Sequence, residues 1–191
     1  MGYRVVFCAS SDGSTIDTGS ISAALSDALS TGRALYFPTG NYIIDDEFTV
    51  NIGPFNSVKI YGEFSKSQYP SGVSITQTNS TKGVFILGDA TLSSSLTDII
   101  IDGIRFVGTN SGSGSAITMY KTSTSQIVNC QFWYLKTCMG FKYLDLSLTF
   151  RTTQFKPYQT LFVLIKDIIL ILKIIIWKIL EAMRLDLHKQ I

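Results

Sequence analysis

The sequence predicts a mainly β fold, a solenoid in which short strands stack coil upon coil behind one N-terminal helix. Three observations predict it: an amphipathic helical stripe near the start, a series of short apolar runs that end at Gly, Asn, Ser or Asp, and two runs that align with each other. A repeat of about 20 to 50 residues with tight turns suits a solenoid, because each coil buries its inward side chains only by stacking on the next.

The helix is predicted directly after Asp17. Asp17 or Thr18 is a suitable N-cap, because a side-chain oxygen can accept a free amide of the first turn. Gly32 supplies the C-terminal stop. Between them, apolar residues recur at helical spacing: Ile21, Ala24, Leu25, Ala28 and Leu29. They form one stripe, so we expect the helix to cover an apolar surface.

Short β-type runs fill the chain after the helix. Ala34–Phe37 is followed by a turn at residues 38–40 and by extended structure at residues 41–44. Further runs stand at residues 58–61, 84–87, 99–101, 106–107, 116–120 and 127–128. Alternation within the runs fits one inward and one outward face.

Two segments align with each other at an offset of 26 residues. Residues 101–106 read Ile-Asp-Gly-Ile-Arg-Phe, and residues 127–132 read Ile-Val-Asn-Cys-Gln-Phe. A third similar segment, residues 60–62, begins with Ile-Tyr-Gly, like Ile-Asp-Gly at residues 101–103. Its larger distance from residue 101 would require a long loop from Ser65 to Lys82. An antiparallel sandwich of similar short strands is the alternative interpretation.

The opening segment resembles a known family. Residues 11–18 read Ser-Asp-Gly-Ser-Thr-Ile-Asp-Thr, a helix follows, and residues 35–44 read Leu-Tyr-Phe-Pro-Thr-Gly-Asn-Tyr-Ile-Ile. This order is similar to the start of the pectate-lyase superfamily, which includes rhamnogalacturonase-like hydrolases and phage tailspikes. The resemblance covers about residues 3–135 and implies a right-handed parallel β-helix with a capping helix.

The resemblance also implies a function. The chain is expected to bind or degrade a polysaccharide, as a lyase or glycoside hydrolase if it is active, and to be truncated. The opening motif is architectural in the family, so Asp12, Asp17, Pro38 and Gly40 are expected to be structural. A tailspike-like protein would belong to a phage virion or a bacterial surface. The alternative is a non-enzymatic structural or adhesion β-helix, assembled as a homotrimer.

The composition changes after Gly140. All 15 glycines lie at or before that residue, whereas Ile, Leu and Lys dominate the remainder. Since turns should recur in every coil of a solenoid, the sequence predicts two regions: residues 1–140 with the cap and first coils, and residues 141–191 as a tail. The tail is either native or the product of a shifted reading frame.

The tail is predicted to be helical over residues 161–188. Its apolar run is interrupted by Lys166, Asp167, Lys173 and Lys178, which makes a transmembrane helix costly. The charged residues share one helical sector, so an interfacial or partner-bound amphipathic helix is the simpler prediction. Membrane association through this helix is a third functional alternative.

Bulk properties exclude several classes of protein. The net charge of +2 and the scattered basic residues do not predict a nucleic-acid partner. Three cysteines, Cys8, Cys130 and Cys138, are an odd number without metal-ligand spacing, so reduced thiols are expected. No signal peptide is predicted, because the apolar run at residues 5–9 is too short. We expect no cofactor and no metal.

Few residues are candidates for catalysis. Hydrolysis of a polysaccharide needs two carboxyl groups about 5 to 10 Å apart. Asp98 and Asp102 flank a predicted strand and are weak candidates, because four residues of strand separate them too far for a pair. Asp89 on a neighbouring coil could pair with either. The alternative is that these carboxylates only bind turn amides.

Other candidates concern binding. Trp133 and Tyr134 are predicted to contact a sugar, with Trp133 facing outward opposite Phe132. Arg105 and Lys121 could serve as the base of a lyase, although nothing singles them out. The acidic residues Asp45, Asp46 and Glu47 could attract calcium, but a solvated strand end is the favoured interpretation. A Ser/His/Asp triad is excluded from the β region, because the one histidine is His188.

Overall fold

A computed structural model describes residues 3–5, 9–51, 57–63, 72–89, 96–109, 114–135, 137–142, 148–151, 154–155 and 160–164. Within these residues the chain forms one α-helix and seventeen strands. The first elements are β1 (Tyr3–Val5), β2 (Asp12–Ile16), α1 (Thr18–Thr31), β3 (Ala34–Phe37), β4 (Gly40–Ile44), β5 (Phe48–Val50), β6 (Ser57–Gly62), β7 (Val73–Gln77) and β8 (Phe85–Leu87). The others are β9 (Thr97–Asp102), β10 (Ile104–Val107), β11 (Ser115–Tyr120), β12 (Ser125–Val128), β13 (Gln131–Trp133), β14 (Thr137–Lys142), β15 (Leu148–Arg151), β16 (Gln154–Phe155) and β17 (Thr160–Leu164).

The strands form three sheets, and all pairs of strands that the structure describes are parallel. Sheet A has the order β1-β3-β6-β9-β12-β15, sheet B the order β2-β4-β7-β10-β13-β16, and sheet C the order β5-β8-β11-β14-β17. From β3 onward, each three successive strands visit sheets A, B and C in turn, and we call one such circuit a coil. The antiparallel sandwich is therefore wrong, and the fold is a parallel, β-helix-like one.

The register confirms the repeat that the sequence predicts. Ile101 pairs with Ile127 in sheet A, and Phe106 pairs with Phe132 in sheet B, both at the predicted offset. Ile60 also pairs with Ile101, so the similar segment at residues 60–62 stacks in sheet A at the same position of the repeat. Each position of the repeat therefore faces the same way in successive coils.

Aromatic rings stack along the interior. Phe106 lies against Phe132 with ring centroids 5.3 Å apart, and its edge meets Phe85 at 6.2 Å. Phe48 contacts Phe85 at 5.6 Å. All four side chains are buried in one continuous core. The coils are thus held together by apolar burial between neighbours, as expected in a solenoid.

Helix α1 has the predicted stripe and stop. Ile21, Ala24, Leu25 and Ala28 are buried, and Gly32 adopts the left-handed conformation while its amide donates to the carbonyl of Ala28. The predicted N-cap is wrong in one respect, since Asp17 makes no side-chain hydrogen bond to the helix. Its carboxylate instead accepts backbone amides from outside the helix, which suits the structural role expected for this residue.

Two stretches differ from the prediction. The long loop expected from Ser65 to Lys82 contains β7, in which every residue except Thr76 is buried. In the tail, residues 161–164 belong to β17 and not to a helix, and β15, β16 and β17 pair in parallel with β12, β13 and β14. The predicted boundary at residue 140 falls inside β14.

The rest of the predicted tail helix, residues 165–188, lies outside the described residues. In the part of the chain that the structure describes, no helix is long and apolar enough to cross a membrane. Membrane or partner contact through this segment therefore stays a prediction.

A glycine substitution tests the turn between sheets A and B. Gly103 has φ +73°, and a Cβ there would stand 3.0 Å from the carbonyl oxygen of Gly62. We expect Gly103→Ala to lower the free energy of unfolding by about 1 to 2 kcal/mol, because a left-handed backbone strains an L side chain. Thermal or urea denaturation followed by circular dichroism measures this.

Gly19 in α1 is the matched control. A Cβ at Gly19 meets nothing within 4 Å, so Gly19→Ala should leave stability unchanged or raise it by about 0.5 kcal/mol through helix propensity. Equal destabilisation by both substitutions would contradict the left-handed turn at Gly103.

Candidate functional site

The outward face of sheet B carries a row of polar residues. Asn41, Ser74, Arg105 and Gln131 pair in register across β4, β7, β10 and β13, and we call these four residues the sheet-B row. Parallel pairing places each one beside the equivalent residue of the next coil. Ser74, Arg105 and Gln131 are only 6%, 9% and 8% exposed. Polar side chains so deeply buried require partners.

Arg105 is held by two neighbours on the next coil. Its Nε donates to Oε1 of Gln131 at 2.9 Å, and its guanidinium carbon lies 4.1 Å from the ring centroid of Trp133. Burial lowers the pKa of Arg105, but a guanidinium remains charged at neutral pH. Among the described residues, no carboxylate forms an ion pair with it. The structure therefore presents a buried cation that is fixed but not neutralised.

Trp133 faces outward, as predicted, and is half-buried. One face of its ring is covered by the Arg105 guanidinium. The predicted sugar platform is thus a stacked pair of side chains, and a ligand that used this face of the ring would have to displace the arginine.

Tyr134 stands at the corner where β13 of sheet B leads to β14 of sheet C. It is 45% exposed and has φ +56°, a left-handed backbone conformation that a regular strand does not contain. It lines a shallow cleft, the corner cleft, which crosses the same corner of three successive coils. The residues around this cleft are Gln77, Asn79, Ser80, Lys82, Gly83, Val84, Gly108, Thr109, Gly114, Tyr134 and Leu135.

The two catalytic candidates lie elsewhere, on sheet A. Asp98 is exposed with φ +49°, in a bulge where β9 has one more residue than β6. Asp102 is half-buried at the other end of β9, and its Oδ1 accepts a hydrogen bond of 2.8 Å from Asn129. The strand separates these carboxylates, and neither lines the corner cleft. Their catalytic role stays a prediction.

A second row, missed by the sequence analysis, leads to Asp102. Tyr36, Tyr61 and Asp102 pair in register on the outward face of sheet A. Two half-buried tyrosines beside a carboxylate form a polar and aromatic strip. The signal was present in the alignment of residues 60–62 with residues 101–103, which already placed Tyr61 beside Asp102.

The acidic residues after β4 have separate partners. Asp45 accepts from the hydroxyl of Thr18 at 2.7 Å, and Lys82 lies 3.0 Å from Asp46 and 3.8 Å from Glu47. The hydrogen bond from Lys82 lowers the pKa of Asp46. No group of three metal-ligating side chains occurs among the described residues. Through these contacts the three acidic residues link α1 to the first coil and the first coil to the second.

The two cysteines that the structure describes are unsuited to nucleophilic chemistry. Cys130 and Cys138 are buried, and burial raises the pKa of each thiol to about 12. A protonated thiol is a weak nucleophile. Lys121 directly follows β11 and adopts φ +45°, so its backbone forms the bend that ends this strand. Cys8 and His188 lie outside the described residues, and Asp89 is half-buried after β8.

Known proteins add one structural likeness. No protein-family model and no curated protein matches the chain. A solved structure similar to it is ORF18 of Geobacillus virus E2, with a TM-score of 0.58 and 22% sequence identity over 72% of this chain. The chain spans 28% of the length of that protein. At this level of identity the two share a fold, and the resemblance to the pectate-lyase superfamily stays a prediction.

Proposed function

We propose that the chain is a polysaccharide-binding segment of a right-handed parallel β-helix, and that sugar binds in the corner cleft. The observation that carries this proposal is the exposed ring of Tyr134 in a cleft that also has polar side chains, those of Asn79, Ser80 and Lys82. A sugar ring has apolar C–H faces and a rim of hydroxyl groups. It therefore binds where an aromatic surface adjoins hydrogen-bonding groups.

The arrangement of the coils supports a linear ligand. The corner cleft takes residues from the connections β7–β8, β10–β11 and β13–β14, so it runs along the axis on which the coils stack. Neighbouring strands of a sheet lie about 4.8 Å apart, which gives three coils a length that suits two or three sugar units. A polymer can thus contact equivalent positions of successive coils.

The proposal also includes the handedness of the coils and the phage origin of the protein. About 98% of the crossover connections between parallel strands of one sheet are right-handed, which supports a right-handed winding of these coils. The similar structure comes from a bacteriophage, which supports the tailspike branch of the family resemblance. Since the chain spans 28% of that protein, we propose that it represents part of a longer β-helix.

Binding is proposed for the described residues, and cleavage is not. A hydrolase needs two carboxyl groups about 5 to 10 Å apart around the scissile bond. Asp98 and Asp102 lie at opposite ends of β9, away from Tyr134. A depolymerase would need a partner carboxylate from elsewhere in the protein.

The proposal is tested by measuring how tightly the full chain binds dextran, xylan, polygalacturonate and polyglucuronate by isothermal calorimetry. With a polymer that binds, Tyr134→Ala should weaken binding about tenfold, which corresponds to the loss of one aromatic contact of about 1.4 kcal/mol.

Tyr120→Ala is the matched control, because Tyr120 is a half-buried tyrosine at the end of β11 in sheet C and does not line the corner cleft. It should leave the affinity unchanged. No binding by any polymer would favour a purely structural β-helix. An equal loss of affinity in both variants would contradict polymer binding in the corner cleft.

A further inference from the structure

Sheet C begins one strand later than the other two sheets. Sheets A and B start with β1 and β2, but the chain then forms α1 before it returns to sheet A as β3, so the first strand of sheet C is β5. A helix cannot replace the missing strand, because its backbone groups are paired within the helix. In the part of the chain that the structure describes, β8 is the one strand that pairs with β5, and the other edge of β5 is open.

The backbone of β5 turns one donor and one acceptor toward this open edge. The amide of Phe48 donates to the carbonyl of Val84 at 2.8 Å, and the carbonyl of Val50 accepts from the amide of Gly88 at 2.7 Å. Both residues therefore use their backbone groups toward β8. In a parallel pair of strands, the residue between them points its N–H and C=O the opposite way. That residue is Thr49, which is exposed.

A groove lies between the open edge and α1, and we call it the cap groove. The helix packs against β1 and β3 of sheet A, which leaves a cavity of about 280 Å³ between α1 and residues 46–49. The side chains of Leu25 and Phe48 are buried and form its apolar base. The helix thus covers the core at this end of the solenoid but leaves room for an extended chain beside β5.

The edge strand of sheet B is protected where β5 is not. All residues of β2 are exposed, but its register is irregular between Asp12 and Ile16. The Asp12 carboxylate also accepts the amides of Ser14 and Thr15. A bulge and a charged side chain on an edge strand hinder the addition of another strand. In contrast, Phe48–Val50 pair with β8 residue for residue, so β5 presents a regular edge.

The charge around the cap groove is negative. Asp46 and Glu47 line it, and no basic side chain is among the residues that do. Lys82 offsets one of these charges by pairing with both carboxylates, and Asp45 adds a third carboxylate next to them. A cationic segment therefore complements the rim of the groove, and its alternate apolar side chains complement the base.

We propose that the cap groove docks an extended cationic segment of a partner protein, which adds to sheet C as a strand beside β5. In this mode of recognition, main-chain hydrogen bonds give affinity and alternate side chains give specificity. Thr49 supplies the main-chain groups, and Asp46 and Glu47 select lysine or arginine. The cap groove shares no lining residue with the corner cleft, so this inference does not depend on polysaccharide binding.

The experiment measures the fluorescence polarisation of a labelled pentapeptide of alternating lysine and valine as the full chain is added. One reference peptide has glutamate in place of lysine, and the other is the lysine peptide with its amides N-methylated, which keeps the charge but removes the backbone donors. We expect saturable binding of the lysine peptide and an affinity about tenfold lower for either reference, since each lacks interactions worth about 1.4 kcal/mol.

Substitution of Thr49 tests the backbone contact within the protein. Thr49→Pro removes the amide that faces the groove and keeps the bonds to β8, and an edge strand tolerates proline at such a position. It should weaken peptide binding about tenfold, whereas Thr49→Val, which keeps the amide, should retain most of the affinity. If Thr49→Pro does not fold, as judged by circular dichroism, the N-methylated peptide decides.

A matched pair of substitutions tests the charge. Glu47→Gln should weaken binding of the lysine peptide about threefold, as expected for one partly exposed charge contact. Glu63→Gln is the control, because Glu63 is exposed and does not line the cap groove, and it should change nothing. An equal loss in both variants would contradict charge selection by the groove.

Other outcomes overturn the proposal. Absence of saturable binding, or unchanged binding of the N-methylated peptide, contradicts strand addition, whatever the polymer experiment shows. Sedimentation velocity tests a different occupant: if the chain forms dimers that Thr49→Pro alone abolishes, the strand beside β5 comes from a second copy and not from a cationic partner.

Discussion

Replacing Phe106 with alanine should lower the free energy of unfolding by about 3 to 5 kcal/mol. Phe106 is fully buried and is the central ring of the interior stack, 5.3 Å from Phe132 and 6.2 Å from Phe85. The substitution removes both contacts and leaves a cavity that rigid coils on either side fill only in part. Urea denaturation followed by far-ultraviolet circular dichroism measures the loss.

Val107→Ala is the control for this prediction. Val107 is the next residue of β10, points to the opposite face and is half-buried. Its truncation should cost about 1 kcal/mol or less, since less apolar surface is involved. A loss for Val107→Ala as large as that for Phe106→Ala would contradict the assignment of inward and outward faces in sheet B.

The stacking of the coils could be predicted from the sequence because a solenoid repeats its environment. Ile101 and Ile127 occupy the same inward position of successive coils, so the same residue type satisfies both. Phe106 and Phe132 show the same rule in sheet B. Two aligned segments were therefore enough to predict the register of two sheets.

The sequence wrongly predicted a loop where β7 lies and a helix where β17 lies, and the two errors have different physical reasons. β7 is a strand in which every residue except Thr76 is buried, yet residues 60 and 101 are separated by more than one regular repeat, which made the intervening segment resemble a loop. In the tail, β17 is a continuous apolar run, Thr-Leu-Phe-Val-Leu. Such a run fits a buried strand and a buried helix equally well, because neither periodicity is visible in it.

The candidate site could be predicted in part. Trp133 was expected to face outward, and it does. Its contact with Arg105 was not foreseen, because the two residues are diagonal neighbours: Arg105 pairs with Gln131, and Trp133 pairs with Val107. The alignment of residues 101–106 with residues 127–132 predicts those pairs, but strand register alone does not determine which way a long side chain leans across them.

Removing the carboxylate of Asp17 should cost about 3 kcal/mol of unfolding free energy. Asp17 is 2% exposed, and it accepts backbone amides from Ser10 at 2.6 Å, Ser11 at 3.3 Å and Ile43 at 3.4 Å. A hydrogen bond to a charged group contributes about 1.5 to 3 kcal/mol, and a buried amide left alone costs a similar amount. Urea denaturation of Asp17→Ala measures the sum.

Asp17→Asn and Asp45→Ala refine this test. The asparagine keeps one acceptor oxygen and should lose less than the alanine does. Asp45 is exposed and binds the hydroxyl of Thr18, so its removal should cost less than about 1 kcal/mol. If Asp17→Ala were as mild as Asp45→Ala, the amides at residues 10, 11 and 43 would find other partners. A large, specific loss would instead identify Asp17 as the residue that fastens the capping helix to the first coil.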